Sequence, residues 1–580
     1  METKRNDTEL WAHWLEELGK DVEENEIGES DPDDTEDYHV AVSESNTDSE
    51  TEGDGGDESD IDAFQVCFEG RDGKTIWTST PTSPDSKRPA NVPHQPHTKG
   101  KGKSCQTFLD SFSCIIDDNI IRLITNYTNL NIETVKSNFT QQSDACATTE
   151  VEIAALLGLI YLIGLKSPGR GNIEDLWDQH GVGMEVFYLT MSCKRYRFLM
   201  SNISFHDPRD LSLRSELDKL APIREVLEVF VHNCQNSLSP GELLTIDDML
   251  VEFKGKCPFR QYMPKKRRSG IKLLLLVDTR TMYTHNIEIF VPNQADSFYK
   301  QENSPHDIAK RLIQPICGSH RNVTFDSWFT DVNLTLDLLK NHQVTCIGSI
   351  SKNKMELPIE FVKRRKSQGN LIGFLKDESC CSLISCQDMG KINLYLSTRQ
   401  QEASNDTPEQ VISLYKDTKQ AVSELYRMSA TYSVVRTCRR WPLTIFYHLL
   451  NIAGTNGITI HKANNHEEKI TRTEYLKGLA LELIKPHIAE RTQKDSIRKN
   501  LKRKMNYFLG LGDEEIPLPK RVINNPGRCY VCSRKRDRKT RVVCNTCQKF
   551  ICKEHYVIVC ARCFRTQEDS SSEDQRQEIE

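Results

Sequence analysis

The stretch TIDDMLVEFKGKCPFRQYMPKKRRSGIKLLLLVD, Thr245–Asp278, sets the expected architecture of the chain. Its two ends, rich in apolar and β-branched residues, have the length and composition of strands, and a basic segment separates them. A further strand pattern, RNVTFDSWFT, lies at Arg321–Thr330, and the helical pattern DVNLTLDLLKNH follows it. Strands and helices in this order predict an α/β sheet domain.

The flanking regions have other patterns. Residues 1–104 are mostly acidic, Ser/Thr-rich or Pro-rich, and such a sequence cannot bury enough apolar surface to fold. Helical periodicity extends from there to about residue 240 and resumes at about residue 409. Residues 349–408 resemble short strands and turns, and we predict a separable insertion there. A dense cysteine cluster lies near the C-terminus.

Charge is distributed unevenly along the 580 residues. Residues 1–62 contain 24 acidic and 3 basic residues, so the remaining chain carries +14 against a total of −7. A basic body favours an anionic partner, most simply nucleic acid. The sequence has no apolar run long enough to span a membrane and no signal-peptide core, so we expect an intracellular protein without a membrane partner. Its 20 cysteines are then thiols or metal ligands.

The C-terminal cluster contains eight metal-ligand side chains in four pairs, and two residues lie between the members of each pair. Zn²⁺ takes four tetrahedral ligands, so eight ligands predict two closed, structural zinc sites. Alternate pairing is the expected topology, although sequential pairing stays open. Alternate pairing places Cys529, Cys532, Cys552 and His555 on one ion, and Cys544, Cys547, Cys560 and Cys563 on the other.

The loop SRKRDRKTR between two of these pairs is strongly basic. A rigid zinc module with such a loop is a plausible DNA-reading unit, and we expect double-stranded DNA as the partner. A protein adaptor of the ubiquitin-ligase or histone-reader type is the competing interpretation. The predicted DNA contacts in this loop are Arg534, Lys535, Arg536, Arg538, Lys539 and Arg541.

Two carboxylates suggest phosphoryl-transfer chemistry. Asp247 follows the strand-like run LLTI and Asp326 follows NVTF, each where a strand is expected to end or turn. Two-metal catalysis on DNA requires such carboxylates to converge on ions roughly 3.5–4 Å apart. A single Asp after a strand is weak evidence, because loop and cap positions are commoner.

The residues around these acids resemble piggyBac-type transposases. The resemblance includes TIDDMLVEFKG, RNVTFDSWFT, LYKDTKQAVSELYRM and RRWPLTIFYHLLNIAGTN, and it covers about residues 105–564 in the order of that family. It implies a ribonuclease-H-like catalytic core with an insertion, a split helical domain for dimerisation and DNA binding, and a cross-braced two-zinc finger. Active members cut and rejoin DNA with an Asp triad and a further Asp nearby.

In the third motif of that family this chain departs from the pattern. Tyr415 and Lys419 keep the frame, but Ser423 takes the third Asp position and Tyr426 takes the nearby one. Glu424 is the acid beside them, and neighbouring helical residues point about 100° apart, so it faces elsewhere. A serine oxygen is a far weaker Mg²⁺ ligand than a carboxylate. We therefore expect catalysis to be lost, with Mg²⁺ as a cofactor only if activity persists.

The basic segment after Asp247 is expected to track a phosphate backbone, with Phe259 and Tyr262 interleaved among the charges. Further predicted contacts lie in TCRRWP. The predicted DNA-binding residues of these two segments are Lys256, Arg260, Lys265, Lys266, Arg267, Arg268, Lys272, Arg439 and Arg440.

These inferences combine into one prediction. The chain is expected to be a domesticated piggyBac-derived protein of the nucleus, homodimeric in the manner of that family, that binds DNA without transposing it. The alternatives are an active cut-and-paste transposase that uses Glu424, and a zinc-finger chromatin adaptor without DNA contact. The predicted segments are 1–104 disordered tail, 105–242 helical domain, 243–348 ribonuclease-H-like domain, 349–408 insertion, 409–432 end of that domain, 433–510 second helical part, 511–527 linker, 528–564 zinc finger and 565–580 acidic tail.

Overall fold

The computed structural model divides the chain into two compact units, residues 1–496 and 497–580. The residues that the structure describes are 66–81, 94–138, 145–166, 173–178, 183–263, 268–292, 294, 297–363, 369–388, 391–399, 407–465, 469–511, 526–536, 538–543 and 549–555.

A mixed sheet is the centre of the first unit. The strands of the first unit are β1 Cys67–Glu69, β2 Ile76–Thr78, β3 His97–Thr98, β4 Leu238–Ser239, β5 Leu243–Glu252, β6 Gln261–Met263, β7 Arg268–Asp278, β8 Thr284–Ile289, β9 Asn322–Phe325, β10 Thr345–Ser349, β11 Leu371–Leu375, β12 Glu378–Asp388 and β13 Lys391–Ser397. The strands of the mixed sheet follow the order β1-β2-β11-β12-β13-β10-β9-β5-β7-β6, and β8 also pairs with β7. A separate short pair joins β3 to β4.

Helices precede, interrupt and follow this sheet. In the first unit they are α1 Phe108–Ser113, α2 Asp118–Val135, α3 Glu150–Lys166, α4 Glu185–Thr190, α5 Cys193–Asn202, α6 Leu211–Leu217, α7 Arg224–Ser237, α8 Pro305–Ile313, α9 Val332–His342, α10 Ile359–Val362, α11 Pro408–Lys419, α12 Ala421–Thr431, α13 Trp441–Asn464 and α14 Arg472–Gln493. In the described residues no helix is long and apolar enough to cross a membrane.

The predicted α/β pattern is confirmed around Asp247. β5 and β7 pair antiparallel over their whole length, whereas β9 and β10 run parallel to β5. The run Leu273–Val277 is buried throughout, because helices pack against β7. The apolar side chains of β5, β7 and β9 form one core with those of α8 and α9.

Helix α3 is apolar all round and is buried from Ile153 to Leu165, except for Ala154, which is half-buried. It packs closely against α14. A side chain at Gly158 would place its Cβ 2.7 Å from the carbonyl oxygen of Ala480, so only glycine permits this approach. The N- and C-terminal helical segments therefore form one packed body, as a split domain requires.

The prediction that residues 1–104 are disordered is wrong for the part that the structure describes. Residues 67–78 form the hairpin β1–β2, and β2 pairs with β11 at the edge of the sheet. Trp77 is fully buried, and its indole N–H donates to the carbonyl oxygen of Glu356 at 2.9 Å. Burial of Trp77 and the edge-to-face contact of Phe68 with Phe361 supply the apolar contacts that order the hairpin.

The insertion is less separable than its sequence suggests. Strand β13 pairs antiparallel with β10, and β11 and β12 continue the same sheet beyond it. The core of this part also includes Val332 from α9 and Ile350 after β10. The insertion therefore extends the central sheet and shares its hydrophobic core.

The second unit contains helix α15 (Lys499–Phe508) and the strand pair β14 (Gly527–Arg528) and β15 (Lys539–Thr540). The predicted helical segment 433–510 crosses the division between the units, since the first unit ends at residue 496. Residues 511–527 fall largely outside the described residues.

Candidate functional site: the carboxylate pair

The parallel pairing of β5 with β9 brings two predicted acids to the same level of the sheet. Thr245 lies opposite Thr324, so Asp247 and Asp326 are each two residues further along their strands. Residues at this spacing point to the same face. Asp326 follows β9 directly, as predicted, but Asp247 lies inside β5 rather than at its end. The pairing of β5 with β9 ends at Thr245, so Asp247 lies beyond the last residue that β9 pairs with, where its side chain can face the third motif.

Helix α11 covers this face at its C-terminal end. The hydroxyl of Thr245 donates to the carbonyl oxygen of Thr418 at 2.6 Å, and the hydroxyls of Thr324 and Thr418 lie 2.7 Å apart. These bonds fix the helix over both strands. Lys419, the next residue, therefore lies beside the two acids, and its positive charge lowers the pKa of both carboxyl groups.

The two carboxyl groups are nevertheless harder to ionise than ordinary acids. Burial raises the pKa of Asp247 to about 7, and repulsion from Asp326 adds to the effect. Burial also raises the pKa of Asp326. Each carboxylate accepts one backbone N–H, from Asp248 at 2.7 Å and from Trp328 at 3.0 Å. The two carboxyl groups therefore lie close together, and the nearby N–H donors and Lys419 compensate only part of their negative charge.

A second charged group lies next to the pair. Lys272 of β7 forms an ion pair with Asp248 at 3.4 Å, and its ammonium lies 4.2 Å from the ring centroid of Trp328. Lys272 was predicted to contact DNA. The structure shows it in a local pair with Asp248, beside an indole that is 40% exposed, and the DNA contact stays a prediction.

Helix α12 carries the third motif and packs against β5 and β7 through its buried residues. Val422 and Leu425 are buried, whereas Ser423 and Tyr426 are exposed. Glu424 forms a two-point ion pair with Arg427, at 2.5 and 2.8 Å, which lowers the pKa of the glutamate. The acid that could replace the missing carboxylates is therefore engaged on the helix surface.

The two-metal site of a transposase does not fit these residues. Two ions about 3.5–4 Å apart need several convergent carboxylates, and the positions at Ser423 and Tyr426 supply none. In the part of the chain that the structure describes, Asp247 and Asp326 belong to no group of three metal-ligand side chains. The pair and Lys419 form a small charged cluster.

Candidate functional site: the basic surface and the Cys/His cluster

Two predicted basic segments lie side by side. A Cβ on Gly255 would lie 3.0 Å from the carbonyl oxygen of Arg439, so the loop after β5 touches the segment before α13. Lys256, Arg260 and Arg439 are exposed there. Residues far apart in sequence thus combine into one basic surface. Lys265, Lys266 and Arg267 lie outside the described residues.

Three of the residues named in these two segments have partners within the protein. Arg440 donates to the carbonyl oxygens of Ser201 and Ile203 at the end of α5, and burial lowers its pKa. It is a structural residue, because its guanidinium satisfies the unpaired carbonyls of a helix terminus. Phe259 is buried against Trp441, with ring centroids 4.9 Å apart. Arg268 is exposed but forms an ion pair with Glu252 at 2.8 Å.

Four predicted zinc ligands converge in the second unit. The ligand atoms of Cys529, Cys532, Cys552 and His555 all lie within 4.8 Å of one another. Cys532 Sγ and Cys552 Sγ are 3.6 Å apart, and His555 Nδ1 lies 3.3–3.6 Å from the three sulfurs. A tetrahedral zinc ion with Zn–S bonds near 2.3 Å sets sulfur–sulfur separations of about 3.8 Å. The group can therefore hold a metal ion, and alternate pairing is the topology observed for it.

The other four predicted ligands, Cys544, Cys547, Cys560 and Cys563, lie outside the described residues. The loop between the ligand pairs is largely described, and its predicted DNA contacts lie at its surface. Arg538 forms an ion pair with Glu554, and Arg536 lies 3.8 Å from the same carboxylate. The loop therefore remains basic after these pairs are formed, through Arg534, Lys535, Lys539 and Arg541.

Sequence reasoning missed the local partners of the site. Lys419 was identified only as part of the motif frame, yet it is the cation beside both acids. The pairing of Glu424 with Arg427 has a visible sequence signal, because residues three apart on a helix face one another. The bonds of Arg440 to α5 have no such sequence signal, since 237 residues or more separate the partners.

The fold and these sites define a transposase-like protein. A family model described as Transposase IS4 matches residues 109–458, which is more than half of the chain. A cryo-EM structure of a piggyBac transposase synaptic complex with hairpin DNA is also similar, with a TM-score of 0.68 and 27% sequence identity. The match covers 81% of this chain and 100% of that one. The chain belongs to the piggyBac-type transposase family, as its motifs predicted.

Proposed function

We propose that this protein is a nuclear, homodimeric DNA-binding protein derived from a piggyBac transposase and without transposase activity. The observation that carries the proposal is that the exposed positions of α12 where the family's motif has acids hold Ser423 and Tyr426. Glu424, the acid between them, is paired with Arg427, so Asp247 and Asp326 receive no third carboxylate from this helix. The strand order β8-β7-β5-β9-β10 supports the ribonuclease-H-like core. Nuclear location and dimerisation rest on the DNA ligand and on the family.

Binding is proposed to reside in two places. The C-terminal module would hold two structural zinc ions, one on Cys529, Cys532, Cys552 and His555, and would present its basic loop to the phosphate backbone. The basic surface around Lys256 and Arg439 supplies further phosphate contacts. Both surfaces are rich in exposed lysine and arginine, which position a protein on duplex DNA without reading its sequence.

An electrophoretic shift assay tests the binding. The full zinc-loaded chain is compared with a variant that carries Arg534→Gln, Lys535→Gln, Lys539→Gln and Arg541→Gln. We expect weaker binding and a shallower salt dependence, with the logarithmic slope reduced by about 0.9 for each phosphate that the variant no longer neutralises. A control with Lys74→Gln, Lys363→Gln, Lys376→Gln and Lys391→Gln removes four exposed charges from the hairpin and the insertion, outside the proposed DNA surfaces, and should bind as the parent does.

The two alternatives have distinct outcomes. A zinc-finger adaptor without DNA contact would show no difference in duplex binding between the parent and the neutralised loop. An active transposase that uses Glu424 would cut or join DNA ends, and the activity would disappear in Asp247→Ala. The pairing of Glu424 with Arg427 disfavours the second alternative, because the carboxylate already has a cationic partner.

A further inference from the structure

Two buried thiols outside both sites are in contact. The Sγ atoms of Cys105 and Cys114 lie 3.1 Å apart, and both side chains are at most 5% exposed. A disulfide bond is about 2.05 Å long, so an approach of about 1 Å would close it. The pair lies in the segment that begins the first helical region, and no feature of the proposed function uses it.

The backbone holds these two sulfurs toward one another. Asn464 of α13 donates to the carbonyl oxygen of Cys105 at 3.2 Å, and the hydroxyl of Ser237 of α7 donates to that of Cys114 at 3.1 Å. Helix α1 fills the interval between the cysteines. Because both ends are anchored to other helices, closure of the bond requires little additional ordering of the chain.

Solvent reaches one residue of the pair. A surface cavity of about 820 Å³ lies between the start of α2 and the length of α7, and Cys114 is one of its lining residues. Lys99 and Lys101 line it as well. A small neutral oxidant can therefore approach Cys114 without unfolding of the helical domain.

We propose that Cys105 and Cys114 form a reversible redox pair, oxidised by hydrogen peroxide to an intramolecular disulfide and reopened by dithiols. In the first step a sulfur attacks peroxide, the O–O bond breaks, one water leaves and a sulfenic acid remains. The second sulfur then displaces the sulfenic oxygen, which leaves as a second water. Two thiols and one peroxide thus give one disulfide and two waters.

The disulfide braces the junction between the first and last helical segments. Helix α1 lies against α14, where the hydroxyls of Ser111 and Tyr475 are 3.0 Å apart and the amide of Leu109 donates to Glu482 at 2.8 Å. Closing the loop around α1 restricts the unfolded chain and fixes this contact. The oxidised protein is therefore expected to unfold at a higher temperature.

Peptide mass spectrometry tests the pair directly. Both cysteines fall in one tryptic peptide, residues 104–122. The full zinc-loaded chain is treated with hydrogen peroxide, alkylated and digested. We expect this peptide to lose two hydrogens and to carry no alkyl group, with full reversal by dithiothreitol. The thermal midpoint should rise by about 2–5 °C on oxidation.

Matched variants separate this reaction from general oxidation. Cys105→Ser and Cys114→Ser should each abolish both the mass change and the thermal shift, whereas Cys317→Ser, at an exposed cysteine, should leave them intact. Two alkyl groups on peptide 104–122 of the oxidised parent protein would overturn the proposal, as would a disulfide between that peptide and another. The measurement on the parent chain remains decisive even if a variant does not fold.

Discussion

The carboxylate pair and the Cys/His cluster differ in how many of their predicted ligands the described residues bring together. In the cluster, four ligand atoms lie within 4.8 Å of one another, with separations that suit tetrahedral zinc. In the sheet, Asp247 and Asp326 lie together, but Ser423 and Tyr426 stand where the family has acids. The Cys/His cluster therefore has the four ligands of one metal site, whereas the carboxylate pair lacks the further acids of the family's motif.

The difference shows which changes a fold tolerates. A structural zinc ligand contributes to folding itself, so its loss would unfold the small module. The positions of Ser423 and Tyr426 on α12, where the family has acids, are exposed and lie outside the packing of Val422 and Leu425. Replacement of such an acid removes the chemistry and leaves the helix in place. Four predictions, in order of decreasing effect, test this contrast.

Loss of a zinc ligand should have the largest effect. Cys532→Ser removes one of four ligands, so we expect the module to lose its zinc and its folded structure, and duplex DNA affinity to fall at least tenfold. Zinc content by atomic spectroscopy and the electrophoretic shift assay measure the two effects. Cys317→Ser, at an exposed cysteine of the first unit, is the control. Retention of metal and affinity by Cys532→Ser would contradict the structural role of the cluster.

Restoration of the missing acids should have the next largest effect. Ser423→Asp combined with Tyr426→Asp adds two carboxylates at exposed positions of α12, and we expect Mg²⁺ binding to become at least tenfold tighter. Isothermal titration calorimetry with MgCl₂ measures it. The variant Ser423→Asn with Tyr426→Asn matches the shape without the charge and should not bind. If the Asp variant binds no better than the Asn variant, other parts of the site have also diverged.

The carboxylate pair should make stability depend on pH. The pKa of Asp247 rises to about 7 on folding, so the folded protein keeps a proton that the unfolded chain has lost between about pH 4 and 7. The free energy of unfolding therefore falls as pH rises through this window, and the full decrease is reached above pH 7. Asp247→Asn should raise the free energy of unfolding by about 1–3 kcal/mol at pH 8 and much less at pH 4.5.

Urea denaturation at the two pH values, without added divalent metal, measures this difference. Asp118→Asn removes an exposed acid and should show no such pH dependence. An Asp247→Asn variant that is less stable than the parent at pH 8 would mean that the ionised pair is stabilised in the fold, against this prediction.

The smallest effect is expected at Glu424. Its ion pair with Arg427 is on the helix surface, where such pairs contribute about 0.3–0.5 kcal/mol. Glu424→Gln should therefore lower stability by less than about 0.5 kcal/mol and leave Mg²⁺ binding unchanged. A marked loss of Mg²⁺ affinity in calorimetry would instead assign this residue to the metal site.

Some of these features follow from local sequence and others do not. The zinc ligands are recognisable because two residues lie between the members of each pair, and the Asp pair because strand patterns precede it. The hairpin around Trp77 was missed because acidic and Pro-rich segments flank it, while its partners, such as Glu356, lie in the insertion. The role of Arg440 was missed because a basic residue has the same appearance in sequence whether it faces DNA or carbonyl oxygens.

The proposal that the chain binds DNA without cutting it is decided by a strand-cleavage assay. The full zinc-loaded protein and its Asp247→Ala variant are incubated with Mg²⁺ and the labelled duplexes of the shift assay, at concentrations at which that assay shows binding. We predict bound but intact DNA with both proteins. Nicking, hairpin formation or joining by the parent protein that is absent from Asp247→Ala would contradict the proposal.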